Sequence, residues 1–153
     1  METNTFEAPF QLLTSRIAQF RMANGFIELS DSLDLKRSVE VDYSIEHMKL
    51  CEDMWQGALK LTVFVSLEEK ETDGDKFISR IEIMGYFAGD PALEENTFKS
   101  MLKINGTSAL YSIMRGFLIS VSAQSLKQGQ VTLPMINFVD LAKQKEMEEQ
   151  EEN

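Results

Sequence analysis

Between residues 39 and 87 the chain repeats one pattern three times, and that repetition limits the folds open to it more than any other feature. In "VEVDYSIE", Val39, Val41, Tyr43 and Ile45 alternate with Glu40, Asp42, Ser44 and Glu46. A strict period of two in β-branched and aromatic residues marks a strand with one buried face. "ALKLTVFVSL" repeats the period, with Leu59, Leu61, Val63, Val65 and Leu67 opposite Ala58, Lys60, Thr62, Phe64 and Ser66. The Asp73-Gly74 pair inside "KETDGDK" is a hairpin turn signal. "KFISRIEIMGYF" then sets Phe77, Ile81, Ile83 and Phe87 against Ile78, Arg80, Glu82, Met84 and Tyr86. Parallel neighbours need long crossovers, so three strands on short links form an antiparallel meander. One face of such a sheet must be covered by another layer.

That layer is found after Pro91, where the period changes. "EENTFKSMLKI" reads as a short helix and "NGTSALYSIMRGFLISVSAQSLK" as a long one, with Asn105 or Thr107 as candidate cap. Leu110, Ile113, Met114, Phe117, Leu118 and Val121 form an apolar stripe at helical spacing. A second stripe collects small residues: Ala109, Ser112, Gly116, Ser120 and Ala123. Glycine inside a helix costs roughly 1 kcal/mol against alanine, which close approach of another helix would offset. No other long helix is legible, so the expected partner is a second copy of the chain; the alternative is a glycine tolerated without a partner.

The start of the chain is ambiguous. Phe10, Leu13, Ile17 and Phe20 recur at helical spacing, although residues 17 to 22 also read as a strand. Next comes "NGFIELSDSLDL", an unusually apolar loop that is expected to pack down or to bind something. A second apolar non-repetitive stretch, "GQVTLPMINF", joins the long helix to the tail, although helix connections are usually short and polar. The tail "VDLAKQKEMEEQEEN" reads as a short surface helix ending in a flexible acidic segment over residues 146–153. A single domain spanning residues 1–153 accounts for the whole length.

With 15 basic and 25 acidic residues the formal charge is -10, which repels phosphate backbones and argues against nucleic acid as a partner. It favours polypeptides with basic stretches instead. No segment approaches eighteen uninterrupted apolar residues, so membrane insertion is not expected, and a cytoplasmic location is. Cys51 is the only cysteine and reads as a small buried hydrophobe; His47 has no partners for a metal site and reads as a strand or loop residue. No phosphate loop, metal-ligand spacing or activated nucleophile is present, so neither catalytic residues nor cofactors are expected. Nine methionines suit an adaptable binding surface, although Met84, Met101 and Met114 read as core filler.

In its last third, "SALYSIMRGFLISVSAQSLKQGQVTLPMINFVDL" resembles the SecB family of export chaperones, through Leu110, Tyr111, Arg115, Leu133, Pro134, Asn137, Phe138 and Leu141. Upstream, Gly85 and Phe87 match the family's Gly-x-Phe signature at the end of its central hairpin. The resemblance implies an α+β fold, a four-stranded antiparallel sheet with a long helix and a short C-terminal helix, assembled as a homotetramer, a dimer of dimers with the long helices at the interface. It also implies that residues near 10 to 23 are the first strand, against the helical periodicity, and that reading is adopted here.

The same resemblance implies an ATP-independent holdase, with unfolded client held in apolar grooves by Phe26, Ile27, Leu29, Val131, Leu133, Met135, Ile136, Phe138 and Leu141. In the export chaperones an acidic outer sheet face docks the SecA motor. Alignment puts Ile17, Arg21 and Arg80 at those places, with Ile78 keeping the apolar partner, which argues against SecA docking. This departure favours the SecB-like chaperones of toxin-antitoxin modules, whose client is an antitoxin. The rival expectations are a general export chaperone holding preproteins for SecA-dependent translocation and a non-chaperone oligomeric adaptor.

Overall fold

The computed structural model describes residues 7–30, 32–70 and 74–153. Four long strands, β1 (Phe10–Asn24), β2 (Leu35–Leu50), β3 (Trp55–Glu69) and β4 (Lys76–Gly89), form one antiparallel sheet in the order β1-β4-β3-β2. The three strands expected from period two are present with the expected faces. Leu59, Leu61, Val63, Ile81, Ile83, Phe77 and Phe87 are sealed on the inner side. Asp73 of the expected turn lies outside the described residues. On either side of it, Leu67 pairs with Phe77 and Glu68 with Lys76.

The first segment is a strand, and its register explains the helical periodicity. Its pairing with β4 shifts between Leu12 and Thr14 and again between Ile17 and Gln19, so each bulge adds one residue. Inward positions therefore fall at Phe10, Leu12, Ser15, Ile17, Phe20 and Met22, and steps of two and three mix. Phe10, Ile17 and Phe20 do share a face, which is the inner face of a bulged strand; Leu13 sits on the bulge and is 59% exposed. Ile17 thus packs towards the core and is not on the outer face where alignment placed it. Its outward neighbour is Arg16.

The covering layer is one helical run. α1 (Glu95–Met101) passes through a π-helical turn (Leu102–Gly106) directly into α2 (Thr107–Ser125). Asn105 and Thr107 consequently lie inside the run and cap nothing; the Thr107 hydroxyl donates to the carbonyls of Lys103 and Ile104 instead. Phe98, Leu102, Leu110, Met114 and Leu118 are buried against the sheet. Close approach depends on missing side chains, since a Cβ on Gly85 would stand 2.6 Å from Leu110 and one on Gly89 2.6 Å from Phe98. Phe10 stacks on Phe87 at 5.1 Å, Trp55 stacks on Phe98 at 5.4 Å, and the Trp55 Nε1–H donates to the Leu93 carbonyl at 2.8 Å.

Several expected core residues lie elsewhere. Ile113 is 38% exposed and shares the outward side of α2, because Thr107, Tyr111 and Ser122 complete the buried face with Leu110, Met114 and Leu118. Phe117 and Val121 are half-buried, as are Met84, Met101 and Cys51, whereas Met114 is sealed. His47 lies on β2. The tail forms α3 (Phe138–Glu151), capped by the Asn137 side chain, which accepts from the amides of Val139 and Asp140 at 3.1 and 3.2 Å. Residues 146 to 151 continue this helix.

Candidate client-binding grooves

Two irregular segments run side by side at one end of the molecule. The amide of Lys127 donates to the Ile27 carbonyl at 2.8 Å and that of Leu29 to the Gln128 carbonyl at 3.0 Å. Glu28 and Gln128 form an isolated parallel bridge. The early loop and the connector, 100 residues apart in sequence, are thus stitched together. Gly129 makes the junction possible: its φ of 96° is left-handed, and a Cβ there would lie 2.5 Å from the Leu29 carbonyl oxygen.

Beyond Gly129 the connector is tied down residue by residue. The Val131 amide donates to the Ser122 hydroxyl at 2.8 Å. Three successive carbonyls then receive side-chain donors: Thr132 from Arg37 Nη1 at 3.5 Å, Leu133 from Arg115 Nε at 3.0 Å and Pro134 from the Tyr111 hydroxyl at 2.6 Å. Burial pushes the Tyr111 phenol above its ordinary pKa, opposed by the Arg115 and Arg37 guanidiniums. That phenol therefore stays a donor through the neutral range. Tyr111 also meets the edge of Phe138 at 5.3 Å between centroids. Hence the Tyr, Arg, Leu-Pro and Phe of the sequence motif form one assembly that holds the connector to α2.

This arrangement divides the expected client-binding residues. Phe26, Val131 and Leu133 are buried in the core of the chain, where they anchor the two segments, and of the three only Val131 lines a groove. Leu29, Ile136, Phe138 and Leu141 are half-buried and pack against that core. Ile27 at 74% and Met135 at 84% exposure stand clear of it. A groove of about 530 Å³ lies along Leu29, Leu35, Leu67 and Val131, with Arg37 on its wall. A smaller one of about 280 Å³ opens at the π-helical turn, between Ile104, Ser108, Ile136 and Phe138. Sequence reasoning missed Leu35, Leu67, Arg37 and Ile104; the signal available was that Leu35 and Leu67 end the apolar alternation of two strands beside the early loop.

Elsewhere, a polar hollow of about 260 Å³ lies between the β2 edge and α3, lined by Tyr43, Lys99, Lys103, Lys145, Glu146 and Glu149. Lys103 pairs with Glu146 at 3.1 Å and Lys145 with Asp42 at 2.6 Å, and Lys145 also donates to the Tyr43 carbonyl. Burial first, then the nearby carboxylates of Glu146, Glu149 and Asp42, push the Tyr43 phenol up to about 12. Among the described residues no group of three or more His, Cys, Asp or Glu could hold a metal ion, and no helix is long and apolar enough to cross a membrane.

The small-residue stripe of α2 faces away from the sheet. Ser112, Gly116, Ser120 and Ala123 are exposed, Ala109 is half-buried, and nothing lies within 4 Å of a Cβ built on Gly116. No contact among the described residues uses that glycine.

No protein-family model and no curated protein sequence matches the chain. Its structure is similar to that of a protein from Streptococcus agalactiae of unknown function, with 10% identity over 82% of this chain and 97% of that one, at a TM-score of 0.47. It is similar, at 14% identity over 84% of this chain and 91% of that one and a TM-score of 0.65, to a SecB-like chaperone of Mycobacterium tuberculosis solved in complex with a ChAD peptide from the HigA1 antitoxin. The β1-β4-β3-β2 antiparallel sheet, the long helix and the short C-terminal helix thus make up a SecB-like fold, as the sequence resemblance implies.

Proposed function

We propose that this protein is an ATP-independent holdase that binds unfolded polypeptide along the early loop and connector, dedicated to an antitoxin of a toxin-antitoxin-chaperone module. The observation that carries the reading is the occurrence of two strongly exposed apolar side chains, Ile27 and Met135, together with a mainly apolar groove along Leu29, Leu35, Leu67 and Val131, on segments that are otherwise fastened down. Fixed apolar surface suits a client that offers apolar side chains in no set order, because burial is non-directional. The antitoxin peptide in the similar mycobacterial structure supports this client class.

The working form is a homotetramer joined through Ala109, Ser112, Gly116, Ser120 and Ala123, so that one client can occupy several grooves. The location is the cytoplasm. SecA docking is disfavoured, since Arg21 and Arg80 face each other on the outer sheet face. Suppression of aggregation of several unrelated unfolding proteins without nucleotide tests the holdase, and Phe138→Asp is expected to abolish it while leaving the oligomer intact. Absence of suppression, with tight binding to one folded protein, would establish the adaptor. Lethality of a linked toxin on deletion of this chain tests the antitoxin assignment; slowed export alone would establish the general export role.

A further inference from the structure

The outer face of the sheet turns away from the helical layer, and no part of the proposed client grooves lies on it. Cross-strand register places Arg16 beside Met84, Gln19 opposite Glu82, Arg21 opposite Arg80, and Ala23 opposite Ile78 on that face. Like charges directly opposite one another destabilise a sheet, so Arg21 and Arg80 are a liability for the isolated fold. Arg80 finds Gln19 at 3.1 Å and Glu82 at 3.7 Å. Arg16 and Arg21, both exposed, have no hydrogen-bond or ion-pair partner among the described residues. One row further on, the bulge turns Leu13 outward, and with Tyr86, Ala58 and His47 it lines an apolar hollow of about 400 Å³. Unpaired cations beside an open apolar hollow are unusual on a chain whose net charge is -10.

We infer that the outer face of β1 and β4 docks an acidic polypeptide segment with an apolar anchor residue. The anchor would occupy the Leu13–Tyr86 hollow, and carboxylates spaced along an extended strand would meet Arg16 and Arg21. Gln19 and Glu82 fill the row between the two arginines, so the matching carboxylates sit four residues apart on an extended strand, about 13 Å, with an uncharged residue between them on the same face. An acidic segment is chosen over nucleic acid because a long polyanion would meet the field of the whole acidic molecule, which a short peptide at 0.15 M salt, with a Debye length of about 8 Å, largely escapes.

The test uses the full chain and three fluorescein-labelled twelve-residue peptides: a Ser-rich strand with one Phe and with Glu two and six residues beyond it, the same with Lys for Glu, and the same with Ser for Phe. The Glu peptide with Phe is expected to bind, and to weaken as salt rises. Arg16→Glu together with Arg21→Glu is expected to weaken it about tenfold or more, Leu13→Ser several-fold, and neither should alter aggregation suppression or oligomeric state. Arg21→Glu should also hold or raise thermal stability, since it replaces a like pair with an opposite one opposite Arg80. Equal binding of the Lys peptide, binding insensitive to the charge reversals, displacement of the Glu peptide by unfolded client, or preference for a single-stranded oligonucleotide would each overturn the inference. Failure of the holdase assay with peptide binding intact would leave the outer face standing and remove only the groove.

Discussion

Gly129→Ala should unfasten the two segments that make the larger groove. At φ 96° an alanine is strained, which costs about 1–2 kcal/mol. Its methyl would also sit 2.5 Å from the Leu29 carbonyl oxygen and 3.1 Å from the Leu29 Cβ. Backbone cannot swing aside as a side-chain tip can, so the early loop must move. The bonds that cross the junction, Lys127 to Ile27 at 2.8 Å and Leu29 to Gln128 at 3.0 Å, would then break. At about 1 kcal/mol each they bring the total to about 3–4 kcal/mol. The rest of the sheet and helical layer need not change, so the cost should appear as local opening. Amide hydrogen exchange at Leu29 and Lys127 is expected to accelerate on the order of 100-fold or more, while sheet amides such as those of Leu61 and Ile83 keep their protection. Client binding should weaken with it. Unchanged exchange at both amides would mean that the junction is not what orders the loop, and the reasoning would fail.

Three further outcomes follow from single side chains. A Cβ at Gly116 meets nothing among the described residues beyond its own helix backbone, so Gly116→Leu should gain about 1 kcal/mol of helix propensity, yet it should split the proposed assembly; a tetramer surviving in size-exclusion chromatography with light scattering would contradict the close-packed face. Tyr43 is raised from 10.0 to about 12, so its contribution is fully present below pH 10 and is lost as pH rises through 12, about 2–3 kcal/mol in all. Tyr43→Phe should remove that alkaline loss, read as the difference between the two proteins' urea midpoints at pH 9 and pH 11.5. The Ser79 hydroxyl is fully buried without a hydrogen-bond partner among the described residues, so Ser79→Ala should be neutral or stabilise by about 1 kcal/mol; a comparable loss in denaturant melts would reveal a partner.

The central meander was legible because β2, β3 and β4 keep period two against a single covered face, and nothing competes with that signal. The first strand was not, because two bulges insert residues and convert a period of two into spacings of seven and three at Phe10, Ile17 and Phe20. Local pattern cannot distinguish such a strand from a helix; pairing with β4 decides it. The break between the two helices was drawn at Asn105-Gly106-Thr107, residues that normally start helices. In the fold a π-helical turn carries the chain straight through them, and Gly106 is the contact that lets it, since a Cβ there would stand 3.0 Å from Leu59.

In the connector, apolar character identified the region but not which side chains are free. Val131 and Leu133 go inward because Ser122, Arg37, Arg115 and Tyr111 supply partners for the backbone around them. Those partners lie on other elements and leave no mark in the local sequence. After Pro134 the alternation breaks, and Met135 is turned outward beside the Arg115 guanidinium, with Nη1 3.7 Å from its sulfur.

The division has an energetic consequence for holding. A fully buried client side chain of Leu or Phe size is worth about 1.5–3 kcal/mol, and grooves of about 530 and 280 Å³ take only a few such side chains. Two anchors give about 3–6 kcal/mol before the cost of ordering the client, whereas millimolar affinity alone needs about 4 kcal/mol. One chain could therefore hold a client only fleetingly. Linked grooves raise the effective concentration at each further site and multiply residence by about 100-fold or more, so the proposed holding activity and the exposed small-residue face of α2 stand or fall together. A chain split at Gly116 would keep its grooves intact and still release what it binds.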